Sequence, residues 1–219
     1  MRLLVTAACA AFALAFAPVA HAGDLRHELA IGPQQWRIVQ RESGPDNYYS
    51  IEPGNPAFIR GRYRPPEHTA VLGYELPEES RFRVRGIRWA WRPMALPRGG
   101  DECAPGRQDS AAVVYVTFKR ALRWYTLKYV WSSIGAKGAV CDRKRGAFAA
   151  QDTIILESGG PIGVWRAEQL DFQAEFRTHF EDGRADADVP PLVGIGLMCD
   201  GDQTASESAA DFANFVLTY

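Results

Sequence analysis

The sequence predicts an all-β protein, a jelly-roll-like β-sandwich carrying one or two short helices. Three observations point there. The dominant hydrophobic period along the chain is two. Clusters of Pro, Gly, Asp and Ser punctuate the apolar runs at short intervals. Aromatic residues are plentiful, with 6 Trp, 8 Tyr and 11 Phe, which suits a thick inter-sheet core.

The elements follow in chain order. Met1-Arg2 gives a positive start, residues 3–19 are almost wholly apolar, and Ala20-His21-Ala22 presents small residues where a signal peptidase cuts. The apolar run is too short for a membrane anchor and no second one follows, so residues 1–22 read as an export signal. Residues 23–219 then form one sandwich domain, working in the periplasm or outside the cell. Alternating runs at 36–41, 47–52 and 69–76 read as strands, and so do the β-branched and aromatic runs at 112–118 and 122–131. Further strands are expected at 153–157, 162–166, 193–199 and 214–219. Between residues 81 and 91 the apolar positions change parity, from Phe82 and Val84 to Ile87, Trp89 and Trp91. A bulge at Gly86 would bring both sets to one face, and a tight turn there is the alternative. Phe172, Phe176 and Phe180 recur every four residues between Asp171 and Gly183, a helix with a cap at each end. Thr204 to Glu207 has capping-box form and could open a second helical turn.

Charge is nearly balanced, 25 basic against 26 acidic residues. That gives no drive towards nucleic acid. Cys9 lies in the signal, leaving Cys103, Cys141 and Cys199. Cys103 and Cys141 stand in loop-like, polar surroundings and are expected to pair in an oxidising compartment. Cys199 ends an apolar strand face and is expected to stay free and buried. No CxxC, HExxH, Gly-x-Ser-x-Gly, phosphate loop or dinucleotide turn occurs, which argues against zinc, serine-hydrolase and nucleotide chemistry.

Four stretches, in order, carry a family resemblance. They are Ile87-Arg-Trp-Ala-Trp91, the run from Asp109 through Tyr115 to Phe118, Leu127-Lys-Tyr-Val-Trp131, and Trp165, Asp171, Phe172 and Phe180 leading to residues 193–204. Together they resemble the bacterial family known as domain of unknown function 3047. Gln203 stands where that family usually has Asn, and Ser110 where it often has a second Asp. The resemblance implies an exported protein and an architecture similar to the jelly rolls of carbohydrate-binding modules; it implies no reaction.

The candidate site residues fall in three groups. Trp89, Trp91, Tyr129 and Trp131 are spaced two apart in pairs and would stack on sugar if exposed; buried, they are core. Asp200 and Asp202 could bind sugar hydroxyls, or, with Thr204, a calcium ion. Arg166, Glu168 and Asp171 flank the Trp165 segment, where paired carboxylates could serve a glycoside hydrolase, with Glu168, Asp200 or Asp202 as its acids, or Arg166 could simply pair with Glu168. The function expected is a glycan- or envelope-binding module without a resident cofactor. A carbohydrate-active enzyme and a structural envelope protein are the alternatives.

Overall fold

The computed structural model describes residues 27–41 and 47–219. The expected export signal and its cleavage site lie outside the described residues. Two sheets face each other. The first takes β3 (Tyr49–Glu52), β4 (Phe58–Tyr63), β13 (Ser208–Thr218), β6 (Gly86–Ala95) and β11 (Arg166–Asp171), with β1 (Glu28–Ala30) also pairing β13. The second has the order β2 (Arg37–Arg41), β5 (Ala70–Glu75), β12 (Leu192–Asp200), β7 (Ser110–Arg120), β8 (Arg123–Ser132), β10 (Ala149–Ser158) and β9 (Val140–Arg145). All pairings among the described residues are antiparallel except β8 with β10. The expected β-sandwich is therefore the fold. Among the described residues no helix is long and apolar enough to cross a membrane.

The alternation sets what is inside. On β7, Ala112, Val114, Val116 and Phe118 face the core; on β8, Tyr125, Leu127, Tyr129 and Trp131 do; on β12, Ile195, Leu197 and Cys199. From the first sheet they meet Ile87, Trp89 and Trp91 of β6 and Phe212, Phe215 and Leu217 of β13. Phe212 and Phe215 are three apart, so an unbroken pleat would send them to opposite faces. A register shift between Ala213 and Val216, with Asn214 at φ 57°, returns both to the core.

The bulge expected at Gly86 is not there. Residues 78–80 form a 3-10 turn and Arg81 to Arg83 continue it, so β6 begins at Gly86 itself. The parity change marks the end of a turn: Phe82 is exposed while Val84 is buried. Of residues 162–166, expected as a strand, 162 and 163 form a turn and only Arg166 is in a strand, as the first residue of β11. The sequence reading also missed β1, β4 and β9. The last is a charged edge strand, Arg143-Lys-Arg145, a composition that discourages pairing with other chains. Cys141 thus sits on a strand rather than in a loop.

Helix α1 (Phe172–Phe180) forms as expected. The Asp171 side chain accepts hydrogen bonds from the Gln173 and Ala174 amides, and Gly183 at φ 75° donates back to the Arg177 carbonyl. Phe172 and Phe176 pack edge-on against Phe118, closing one end of the core. Thr204 opens no helix. Residues 202–205 are a plain turn, its Thr204 amide held by Asp109 and its hydroxyl by Ser206.

Candidate functional site

The outer face of the seven-stranded sheet bears a groove of about 760 Å³. Strand register explains its shape. One row of outward side chains runs straight across the strands: Glu75 on β5, Gly194 on β12, Thr117 on β7, Thr126 on β8 and Gln151 on β10. The next row is Gly73, Gly196, Tyr115, Lys128 and Thr153. A Cβ at Gly73 would come 2.6 Å from Val39, and one at Gly196 would come 3.0 Å from Val71 and 3.2 Å from Tyr115. Those glycines are therefore roofed by their neighbours. A Cβ at Gly194 would meet only backbone, the Tyr74 carbonyl at 3.2 Å and the Glu75 Cα, so the space above it is open.

The two sides of the groove differ. Val39, Val71, Tyr115 and Met198 make one side apolar; Glu75, Thr117, Thr126 and Gln151 make the other polar. Trp124 stands at the β8 end, 43% exposed, with the Lys119 ammonium 4.5 Å from its ring centre. Burial pushes the Tyr115 phenol up to about 12, so it remains a neutral hydroxyl. Gln151 donates to Asp142 at 2.9 Å, and Glu75 is paired with Arg81 at 2.8 Å.

A covered patch lies beyond the second row. Val113, Val130, Ile155 and Met198 form a small second core on this outer face. Gly135 lies against Ile155, and the Gly100 carbonyl accepts from the Ser132 hydroxyl and the Ser133 and Ile134 amides. Residues 96–109 are thereby fixed to the sheet, and the Cys103–Cys141 disulfide ties them to β9. Under this segment the Lys128 ammonium lies within 2.7–2.8 Å of both oxygens of buried Glu102, which also accepts from Ser110. Cys199 is free and buried, as expected.

The residues singled out from the sequence do not line this groove. Trp89, Trp91, Tyr129 and Trp131 are 0–2% exposed and mutually packed, at 5.5 Å for Trp89–Trp91 and 5.7 Å for Trp91–Trp131. The sugar-stacking platform expected of them is corrected to core. Large apolar rings on an inward face gain more from burial than exposure would return. Three of the four find polar partners: Trp91 donates to Glu168 at 3.2 Å, Tyr129 to Glu175 at 2.7 Å and Trp131 to the Gly159 carbonyl at 2.8 Å, while the Trp89 Nε1 is buried without one. Arg166 and Glu168 lie on β11, the edge strand of the other sheet, in register with Trp91 and Trp89. Half-buried Glu168 has its carboxyl raised by desolvation. It belongs to the sandwich edge rather than to the groove.

Asp200 and Asp202 gather instead with Asp109, one oxygen from each lying within 4.8 Å of the others. Among the described residues this is the grouping that could hold a hard cation. Thr204 contributes its amide to Asp109 and is not part of it. Desolvation, reinforced by the Asp202 charge, raises the Asp200 carboxyl to about 8.

Trp124, Thr126 and Lys128 were legible as the polar face of the 122–131 run, opposite Tyr129 and Trp131. The aromatic pair drew attention to the wrong face. Glu75, Thr117 and Gln151 had no local signal, because only the pairing of distant strands aligns them.

The molecule is thus a two-sheet β-sandwich of jelly-roll type with a groove on one outer face. It belongs to the family described as Protein of unknown function (DUF3047), whose model matches residues 69–216. No curated protein sequence matches the chain. In fold it is similar to the family 11 carbohydrate-binding module of the cellulase Lic26A-Cel5E of Clostridium thermocellum, at 11% identity over 88% of this chain and 93% of that one, TM-score 0.47. It is also similar to the xyloglucanase domain of the Sinorhizobium fredii effector NopAA, at 10% identity over 87% and 97%, TM-score 0.43. A third similar structure is Trichoderma harzianum endoglucanase 3 of family GH12, at 9% identity over 90% and 99%, TM-score 0.41.

Proposed function

We propose that this protein is an exported glycan-binding module and that the outer groove of its seven-stranded sheet is the binding surface. The observation that carries the reading is the pairing of an exposed indole, Trp124, with a row of hydrogen-bonding side chains. Sugars offer C–H faces that stack on a ring and hydroxyls that need amide, hydroxyl or carboxylate partners, and a site with both parts fits them. The groove favours this reading over a structural envelope protein, which would be expected to present a flat apolar patch. The hydrolase alternative lacks support at the same place. Glycoside hydrolysis uses two carboxyl groups roughly 5–10 Å apart, and the groove lining supplies one, Glu75. The disulfide suits an oxidising compartment. The test is to apply the protein, without residues 1–22, to an array of microbial and plant glycans. Retention on one glycan class, lost on Trp124→Ala, supports the proposal; no retention on any class opposes it.

A further inference from the structure

Granting that reading of the groove, we infer that its ligand is an extended, uncharged glycan chain bound along its length across the strands, rather than a mono- or disaccharide held in a pocket. The polar row runs perpendicular to the strands, from Glu75 on β5 to Gln151 on β10. With strands about 4.8 Å apart, the four spacings from β5 to β10 cover roughly 19 Å. That exceeds the reach of a single sugar ring. A pocket would need walls closing both ends of this row, whereas Glu75 at its β5 end is exposed and Gln151 at its β10 end is only partly covered.

The centre of the row is the informative place. Gly194 stands between Glu75 and Thr117 and has no side chain, and no side chain of a neighbour fills the space above it. Gly73 and Gly196 in the next row lack Cβ atoms because Val39, Val71 and Tyr115 pack over them. Gly194 thus keeps a passage open at backbone level, joining the β5 and β8 halves of the groove. A ligand seated in one half alone would not need it.

Charge sets the chemical class. Among the described residues the lining contains no Lys or Arg, and Thr117, Thr126, Tyr115 and Gln151 are neutral. Among the described lining residues the one acidic side chain is Glu75, and it is paired with Arg81 at 2.8 Å. A chain bearing carboxylate or phosphate would lose water over this floor without gaining a cationic partner. The cations around the groove are engaged elsewhere: Arg81 is paired with Glu75 at 2.8 Å, Arg37, opposite Gly73 on β2, donates to the Gln34 and Trp36 carbonyls, and Lys119 sits against the Trp124 ring.

The experiment is calorimetry of the wild type with two oligosaccharide series graded upward from one sugar unit. One series is neutral, from β-linked glucans, mannans and chitin; the other is acidic, from polygalacturonate and alginate. We expect affinity for a neutral series to rise by about tenfold or more from the disaccharide to the chain that fills the groove, then level off. The acidic series should bind at least about tenfold more weakly. Thr117→Phe, placing a ring on the outward-facing, part-buried strand position beside Gly194, should abolish binding of the long neutral chain with the melting temperature unchanged. Gly194→Ala gives a second, milder obstruction should Thr117→Phe fail to fold. A monosaccharide binding as tightly as the long chain, or acidic chains binding as tightly as neutral ones, would overturn this inference while leaving the glycan reading intact. Absence of binding to both series and to the wider array would remove both.

Discussion

At the scale of single residues, two carboxylates show how position decides chemistry. Glu75 is exposed and ion-paired with Arg81, whereas Asp200 is buried beside Asp109 and Asp202. Desolvation disfavours the ionised form of Asp200, and the neighbouring Asp202 charge adds to it, so its carboxyl rises to about 8. The folded state then holds a proton that the unfolded chain releases near pH ~4. Stability from this group is full below that value and is lost as pH rises towards 8. In chelator, denaturant unfolding should therefore show stability falling over this range for the wild type. Asp200→Asn should flatten the profile and be the more stable protein at pH 8. A parallel fall in both proteins would assign the pH dependence elsewhere. Gly86 makes a second case at this scale. A Cβ there would lie 2.5 Å from the Leu170 carbonyl oxygen on β11. Gly86→Val should destabilise the fold by about 1–3 kcal/mol through overpacking between two paired strands. An unchanged urea midpoint would show that β11 yields without cost.

Among the elements, the segment of residues 96–109 is the one whose role depends on a covalent tie. It sets Glu102 against Lys128 on the outer face of β8 and is held there by the Gly100 carbonyl, which accepts from Ser132, Ser133 and Ile134. Cys103 and Cys141 are 38 residues apart. Closing a loop of that length stabilises a fold by roughly 3–4 kcal/mol in the chain-entropy account. The double variant Cys103→Ala, Cys141→Ala should lose about that much, and amide exchange should rise first in residues 96–109 and 133–139. Exchange rising instead across β6 and β13 would mean that the tie supports the whole sandwich. The pairing itself was legible from loop-like surroundings and compartment, although one of those surroundings is an edge strand. Strands β4 and β9 escaped notice because charge and glycine interrupt their alternation, as in Arg60-Gly-Arg62 and Arg143-Lys-Arg145. The helix was readable because its three phenylalanines and its cap are local signals. The change of face at Gly86 was real, but a sequence records only parity, and a turn ending at Arg83 just before the strand produces the same record as a bulge.

For the whole molecule, period two carried the fold. Every inward residue of β7 and β8 follows from alternation once the strands are placed, whereas on β12 a register shift between Leu192 and Gly194 also brings Leu192 to the core. The site was far less legible, because a groove on a sheet face is made by registers between strands distant in the chain. Glu75, Gly194, Thr117, Thr126 and Gln151 share a row only after β5, β12, β7, β8 and β10 have paired. The four rings that looked most functional became the core between the sheets, and the exposed ring, Trp124, lay on the polar face of the same strand. The central claim is this division of labour between inner and outer aromatics, and one paired measurement tests it. Wild type, Trp124→Ala and Trp91→Ala are compared by thermal melting and by binding to whichever glycan the array retains. The account predicts that Trp124→Ala keeps the wild-type melting temperature and loses binding, while Trp91→Ala loses about 3–5 kcal/mol of stability. Unimpaired glycan binding by Trp124→Ala, with its melting temperature retained, would contradict the account.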